Sequence, residues 1–233
     1  MSSQNIQDVG SWQWLYLPIF VTLLPFVARI IDPATDNVIF GEMGVMENLT
    51  VIFLLIGIVA GLRSFLGVKM LPVGWMRPWL VILILGSVYF AGEELSWGQH
   101  YFGWETPEGW GNVNDQQETN LHNTSALFDQ VPRTLLTIAA LVGGIIVPLV
   151  LLFRGKCFDP KGDAYWLWPT YIVMPASIGA IFVSFHEKAY KLFDSEVPFI
   201  LDIRAGETKE CLLAMFIMLY MLSLYKRLKN SSF

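Results

Sequence analysis

Charge is the scarcest commodity in this chain. Only 15% of its 233 residues are Asp, Glu, Lys or Arg, against about 25% in a typical soluble domain. The apolar residues, 54% of the total, fall in long blocks separated by polar segments, and that pattern belongs to a membrane protein. Basic stripes and zinc-finger spacings are missing and the net charge is −5, so nucleic acid is excluded as a partner. There are two cysteines, Cys157 and Cys211, without metal-ligand spacing. Their places near opposite faces of a hydrocarbon core about 30 Å thick exclude a disulfide between them. Residues 1–10 lack the basic start of a secretory signal, so the first apolar block is expected to stay as a helix. The G-x-S-x-G elbow, H-E-x-x-H and the P-loop are absent. Three histidines are too few for a multi-histidine di-iron site.

What is present is a set of six apolar segments long enough to span: Trp14–Ile31, Met46–Leu66, Pro78–Trp97, Arg133–Phe153, Trp166–Phe185 and Glu210–Tyr225. A span needs about 20 helical residues, and the last segment is the shortest. Pro18 and Pro25 mark the first helix for kinking, and Pro169 and Pro175 the fifth. Neither a repeat nor a low-complexity tract interrupts the chain. The expected fold is an all-α integral membrane protein with about six transmembrane helices in a single polytopic domain, 1–233.

Sidedness follows from the bases. Arg63, Lys69 and Arg77, then Arg154, Lys156 and Lys161, then Lys226, Arg227 and Lys229 share one side only if both chain ends are cytoplasmic. Of the acids, only Asp8, Asp159 and Asp163 then fall inside. The outward connections Asp32–Val45, Gly98–Pro132 and His186–Lys209 are long and chemically rich. They are expected to be ordered, with short interfacial helices over Val113–Phe128 and Lys188–Phe193.

Chemistry concentrates in 91–123, which holds five glutamates, two histidines and three tryptophans. Glu93 and Glu94 close a hydrophobic helix, where an ionisable group costs about 2.5–3.5 kcal/mol at mid-bilayer and less toward the interface. An aromatic belt accounts for Trp97 and Tyr101 but not for paired carboxylates. On a continuing helix Glu93, Ser96 and His100 share a face, whereas a stop at Gly98 would place His100 in a turn. Downstream, Glu118 and His122 are four residues apart among Asn114, Gln117 and Asn120, a spacing that on a helix holds a metal or forms a carboxylate–imidazole pair. His186 ends the fifth span. Glu47, Glu207 and Glu210 open helices, where an acid is stabilised by the helix dipole; Glu207 reads as structural, and Glu210, a turn deeper, as a site residue. Arg29 is the expected counter-charge for one of these acids, with Asp32 competing for it.

The words G-E-E-L-S-W-G-Q (92–99), F-G-W-E-T-P (102–107) and N-D-Q-Q-E-T-N-L-H-N (114–123) resemble a signature of bacterial multi-pass inner-membrane proteins of uncharacterised activity. The resemblance covers about thirty residues. It implies a bacterial inner membrane and weight on Glu93, Glu94, Trp97, Gln99, Glu118, Asn120 and His122, and no mechanism.

Two functions are open. The first is an outward-facing, metal-assisted hydrolase or transferase acting on a lipid or lipid-linked substrate. In it His100, His122, His186 and Glu118 hold a divalent metal, zinc by ligand type, and Glu93 or Glu94 is the general base. Glu47, Arg29, Gln99, Asn120, Glu210 and Trp97 support the site. The second is a non-catalytic transporter or assembly subunit whose Glu/Arg/His network fixes helix packing or binds ions, with a membrane-protein partner or a second copy. Glu93, Glu94, Glu118, His122, His186 and Glu210 are expected to line one cavity.

Overall fold

A computed structural model describes residues 9–41, 43–67, 71–114 and 116–231. Asp8 and Lys69, used above for sidedness, lie outside them. The described residues contain helices and no strand. Six helices are long and apolar enough to cross a membrane, and their outer faces present exposed Phe20, Leu23, Leu55, Leu85, Leu152 and Phe182. Water would not tolerate such a belt and lipid would, which makes this a multi-pass membrane protein.

The helices are α1 (Leu17–Ile31, led in by a wide turn at Trp12–Tyr16), α2 (Val45–Gly67), α3 (Met76–Glu94), α4 (Ala126–Leu141), α5 (Met174–Leu192) and α6 (Ala205–Asn230). A wide turn at Val142–Ile146 carries α4 on to Phe153. Pro25 sits inside α1. The fifth crossing is broken: a short helix Asp163–Leu167 ends in extended Trp168, as the residue before Pro169 must, before α5 starts.

Several boundaries differ from the sequence reading. The third helix stops at Glu94 rather than at Trp97. Among the described residues no helix covers 113–114 or 116–121, and Lys188–Leu192 continues α5 instead of lying along the interface. The sixth segment, read as the shortest, is the longest single helix and the centre of the bundle. From Cys211 to Met221 every residue of it is buried. α6 packs most extensively on α2, then on α5, and α3 lies on the other flank of α2. Close approach relies on small residues. A Cβ on Gly57 would sit 3.3 Å from the Met218 Cα, and one on Gly144 only 2.0 Å from Ser177 Oγ.

Hydrogen bonds between elements gather at two ends. At one, Tyr101 donates to Asn48 Oδ1 (2.7 Å) and Arg204 to Phe40 O (2.8 Å). At the other, Trp79 Nε1 donates to the Tyr220 hydroxyl (2.9 Å), which donates to Leu167 O (2.6 Å), and Arg227 donates to Tyr165 O. α3 and α4 do not form a packed pair with each other. The space left between them, over α6, opens toward the first of these ends.

Candidate functional site

The site begins with a turn. After Glu94 the chain enters the left-handed region three times running, at Ser96 (φ 44°), Trp97 (φ 57°) and Gly98 (φ 101°). Each of the two non-glycine residues costs about 1–2 kcal/mol there, so partners must hold them. Ser96 Oγ donates to Glu118 Oε2 (2.8 Å), and Ser96 O accepts from Thr119 Oγ1 (2.8 Å). The Trp97 ring lies flat on Gly92, where a Cβ would come within 2.8 Å of it, and its Nε1 donates to Glu93 Oε1 (2.8 Å). The G-E-E-L-S-W-G sequence is thus a chain reversal: Gly92 makes room for the indole, and Gly98 takes the most open φ.

The reversal lets 114–123 fold back against the end of α3. Asn114 Oδ1 accepts from the backbone N–H groups of Gln116 (3.1 Å) and Glu118 (3.0 Å), while its Nδ2 donates to Asn120 O (2.9 Å). Gln99 Oε1 accepts from Thr119 N (2.7 Å), and Gln99 Nε2 donates to Thr106 Oγ1 (2.7 Å). Trp110 Nε1 donates to Glu118 O (2.9 Å) and Trp104 Nε1 to Thr119 Oγ1 (3.3 Å), so both indoles brace this segment.

Two carboxylate–imidazole pairs result, and both cross between segments. Glu93, 4% exposed, accepts from Leu121 N (2.7 Å) and His122 N (2.8 Å) at Oε2, which also lies 3.3 Å from His122 Nδ1. Glu118 accepts from Ser96, Asn120 Nδ2 and Asn123 Nδ2 (3.1 Å) at Oε2, and its Oε1 is 3.1 Å from His100 Nε2. The spacing of Glu118 and His122 does not make a one-turn pair. With no helix at 118–121 the two side chains take different partners.

Facing these pairs is a cavity of about 1470 Å³ between α3, α4 and α6. Its mouth carries Glu47, Glu94, Glu207, Glu210, Arg133 and Arg204, with His100 and His122 on the rim. Glu94, Glu207 and Glu210 are the one set of three His, Cys, Asp or Glu residues among the described residues whose ligand atoms all lie within 4.8 Å of one another. Arg133 pairs with Glu210 and, at 2.9 Å, with Asp129. Glu47 Oε2 accepts from Met43 N (2.8 Å), the cap expected of a helix-opening acid. Four carboxylates at this mouth outnumber its two guanidiniums, an imbalance that a cation or shared protons would relieve.

Of the residues singled out in the sequence, Glu47, Glu93, Glu94, His100, Glu118, His122 and Glu210 line this cavity. Trp97, Gln99 and Asn120 stand behind it, holding the turn. His186 and Arg29 lie elsewhere. His186 Nε2 is 2.8 Å from Leu201 O with its ring against Phe26 and Phe182. Arg29 stacks on Phe199 (4.3 Å) and reaches Asp202 (3.4 Å), and Asp32 caps Ala34 N. The set His100, His122, His186 and Glu118 therefore does not converge on one point. Sequence reasoning missed Arg133, treated as a helix boundary, and undervalued Glu207. The available signal was a basic residue on the acid-rich side of the chain, four residues after Asp129.

No family model, curated protein or solved structure matches the chain. Function is therefore read from the geometry of the cavity.

Proposed function

We propose that the protein is a membrane-embedded enzyme, a hydrolase or transferase, that acts on a lipid or lipid-linked substrate with a divalent cation held by Glu94, Glu207 and Glu210. One observation carries this reading: a single cavity has converging carboxylates at its mouth and an apolar interior bounded by Ile82, Leu83, Leu136, Leu213, Phe216 and Ile217. A site of that make-up fits an amphiphile held by its polar end. The all-oxygen donor set suits Mg²⁺ or Mn²⁺ better than zinc. The cation would polarise the substrate and lower the pKa of a bound water.

In this reading the roles of acid and imidazole are exchanged relative to the sequence expectation. Glu93 is spent on the loop backbone and orients His122, whose Nε2 has no partner among the described residues. His122 is then the general base, as a histidine held at Nδ1 by a carboxylate is suited to be. Arg133 balances Glu210 and is placed to meet an anionic leaving group. In this reading the mouth faces outward, into the periplasm of a bacterial inner membrane, and the excess of bases in the other connections supports that side.

A second reading draws on the closed hydrogen-bonding of Glu93 and Glu118. There the network only fixes helix packing within a homo-oligomer or larger membrane complex. Mn²⁺ titration of detergent-purified protein, followed by paramagnetic resonance, separates the two. The enzyme reading expects one Mn²⁺ per chain, lost in Glu94→Gln and Glu210→Gln. It also expects cation-dependent turnover of a total membrane-lipid extract that His122→Ala abolishes without loss of Mn²⁺. Wild-type protein that binds no Mn²⁺ would refute it, and binding without turnover would favour the second reading.

A further inference from the structure

The cavity is much longer than a polar site needs. Its stripe on α6 runs Glu207, Glu210, Leu213, Ile217 and Tyr220, a distance of about 20 Å at roughly 1.5 Å per residue. On α3 it extends from Glu94 to Trp79, about 22 Å by the same measure. Half of a hydrocarbon core is about 15 Å, so the groove reaches past the bilayer midplane. Below the mouth α3 offers only the hydroxyls of Tyr89 and Ser87, and that of Ser87 is turned onto Leu83 O (2.7 Å). An ion would find few ligands along this path.

The far end is closed by Trp79, Leu167, Trp168 and Tyr220. There Trp79 Nε1 donates to the Tyr220 hydroxyl (2.9 Å) and that hydroxyl to Leu167 O (2.6 Å). The Trp79 N–H and the Tyr220 hydroxyl are thus satisfied within the floor, and what remains of its side chains is aromatic and aliphatic apart from the Trp168 indole N–H. Such a floor receives a hydrocarbon terminus and rejects a second head group. Midway, Gly86 faces the groove, and a Cβ there would meet nothing within 4 Å.

From this we infer that the groove measures the substrate: it takes one long extended hydrocarbon chain of a single-headed lipid, head at the carboxylates and terminal methyl on the Trp79–Tyr220 floor, with Gly86 keeping the passage open. The inference deepens the reading of the preceding subsection and rests on it for the position of the head. Trp79, Tyr220 and Gly86 are specificity-determining residues in this scheme, remote from any reacting atom.

The test uses the full-length protein in vesicles of phosphatidylethanolamine and phosphatidylglycerol, doped with a long-chain fatty alcohol bearing a diazirine at its terminal carbon. Its neutral head makes labelling independent of any cation. After photolysis, peptide mapping should find adducts on Trp79, Leu167, Trp168 and Tyr220. Gly86→Phe, whose Cβ meets no neighbour within 4 Å and whose ring would stand in the passage, should reduce that floor labelling at least tenfold, and a shorter alcohol should then label residues above position 86. Leu85→Phe, on the lipid-facing side of the same helical turn, should leave the pattern unchanged and serves as the folding control. Wild-type adducts confined to outward-facing Leu55 and Leu85, or equal floor labelling in Gly86→Phe, would overturn the inference. Floor labelling in protein that binds no Mn²⁺ would uphold the groove while sinking the cation site, so the two failures are distinguishable.

Discussion

Replacing Glu93 by Gln tests whether the buried carboxylate is a clamp for the loop. Its Oε1 accepts one donor, the Trp97 indole (2.8 Å), and its Oε2 accepts two backbone N–H groups, of Leu121 (2.7 Å) and His122 (2.8 Å). A carboxamide has one acceptor oxygen. Turned toward the two backbone donors, it opposes its own NH2 to the indole N–H. The variant thus loses a bond to a charged group, worth about 1.5–3 kcal/mol, and gains a donor–donor contact in a site that is 4% exposed. We expect a destabilisation of about 2–3 kcal/mol. Trp97→Phe keeps a ring over Gly92, removes only the indole donor and should cost about 1–2 kcal/mol. In the double variant the opposed donors are gone, so the sum should fall short of additivity by about 1 kcal/mol. Reversible unfolding in detergent micelles gives the four free energies. Amide hydrogen exchange at Leu121 and His122 reports the loop directly and should accelerate in Glu93→Gln but much less in the double variant. Strict additivity together with unchanged exchange at both amides would refute the clamp.

Three further outcomes are expected. Arg133→Leu strands Glu210 and Asp129 and should cost about 2–3 kcal/mol, less than the 3–5 of a fully buried pair because Arg133 is 38% exposed, with Glu210→Gln restoring much of it in the same unfolding assay. Gly144→Ala places a methyl where Ser177 Oγ now stands and should lower stability by about 1–3 kcal/mol, an effect that Ser177→Gly should relieve. In protein lacking the exposed Cys157, an impermeant maleimide should reach a cysteine at Asn112 in intact cells and one at Gly155 only after permeabilisation; the opposite pattern would invert the whole topology.

The membrane class was legible because apolar runs report contact with lipid. For the same reason hydropathy misjudged α6. Lys209, Tyr220, Ser223 and Arg227 shorten its apolar run, yet they are buried against other helices, where polar groups find partners. Hydropathy ranks helices by exposure to lipid, and the central helix has least of it. The site was legible in outline because carboxylates at apolar depth demand an explanation. Its pairings were not, because a helical template was carried across Ser96 and Trp97, whose left-handed φ values no propensity suggests. His186 shows the limit of proximity in sequence: it sits at a helix end like the others, but its ring is committed to Leu201 O and two phenylalanines.

The position of α6 bears on how the molecule is made. It is the helix that follows the other five in the chain, and it fills the slot between them. Until it emerges from the ribosome, Gly57 and Gly61 of α2 face an empty groove, and Glu94 lacks the company of Glu207 and Glu210. Insertion of the first five helices can therefore be sequential, but their packing cannot be completed in that order. The nascent protein must wait as a loose, lipid-invaded assembly that its own sixth helix converts into a finished one. A chain stalled or cut before Ala205 would keep that open groove on display, with Glu94 at its edge.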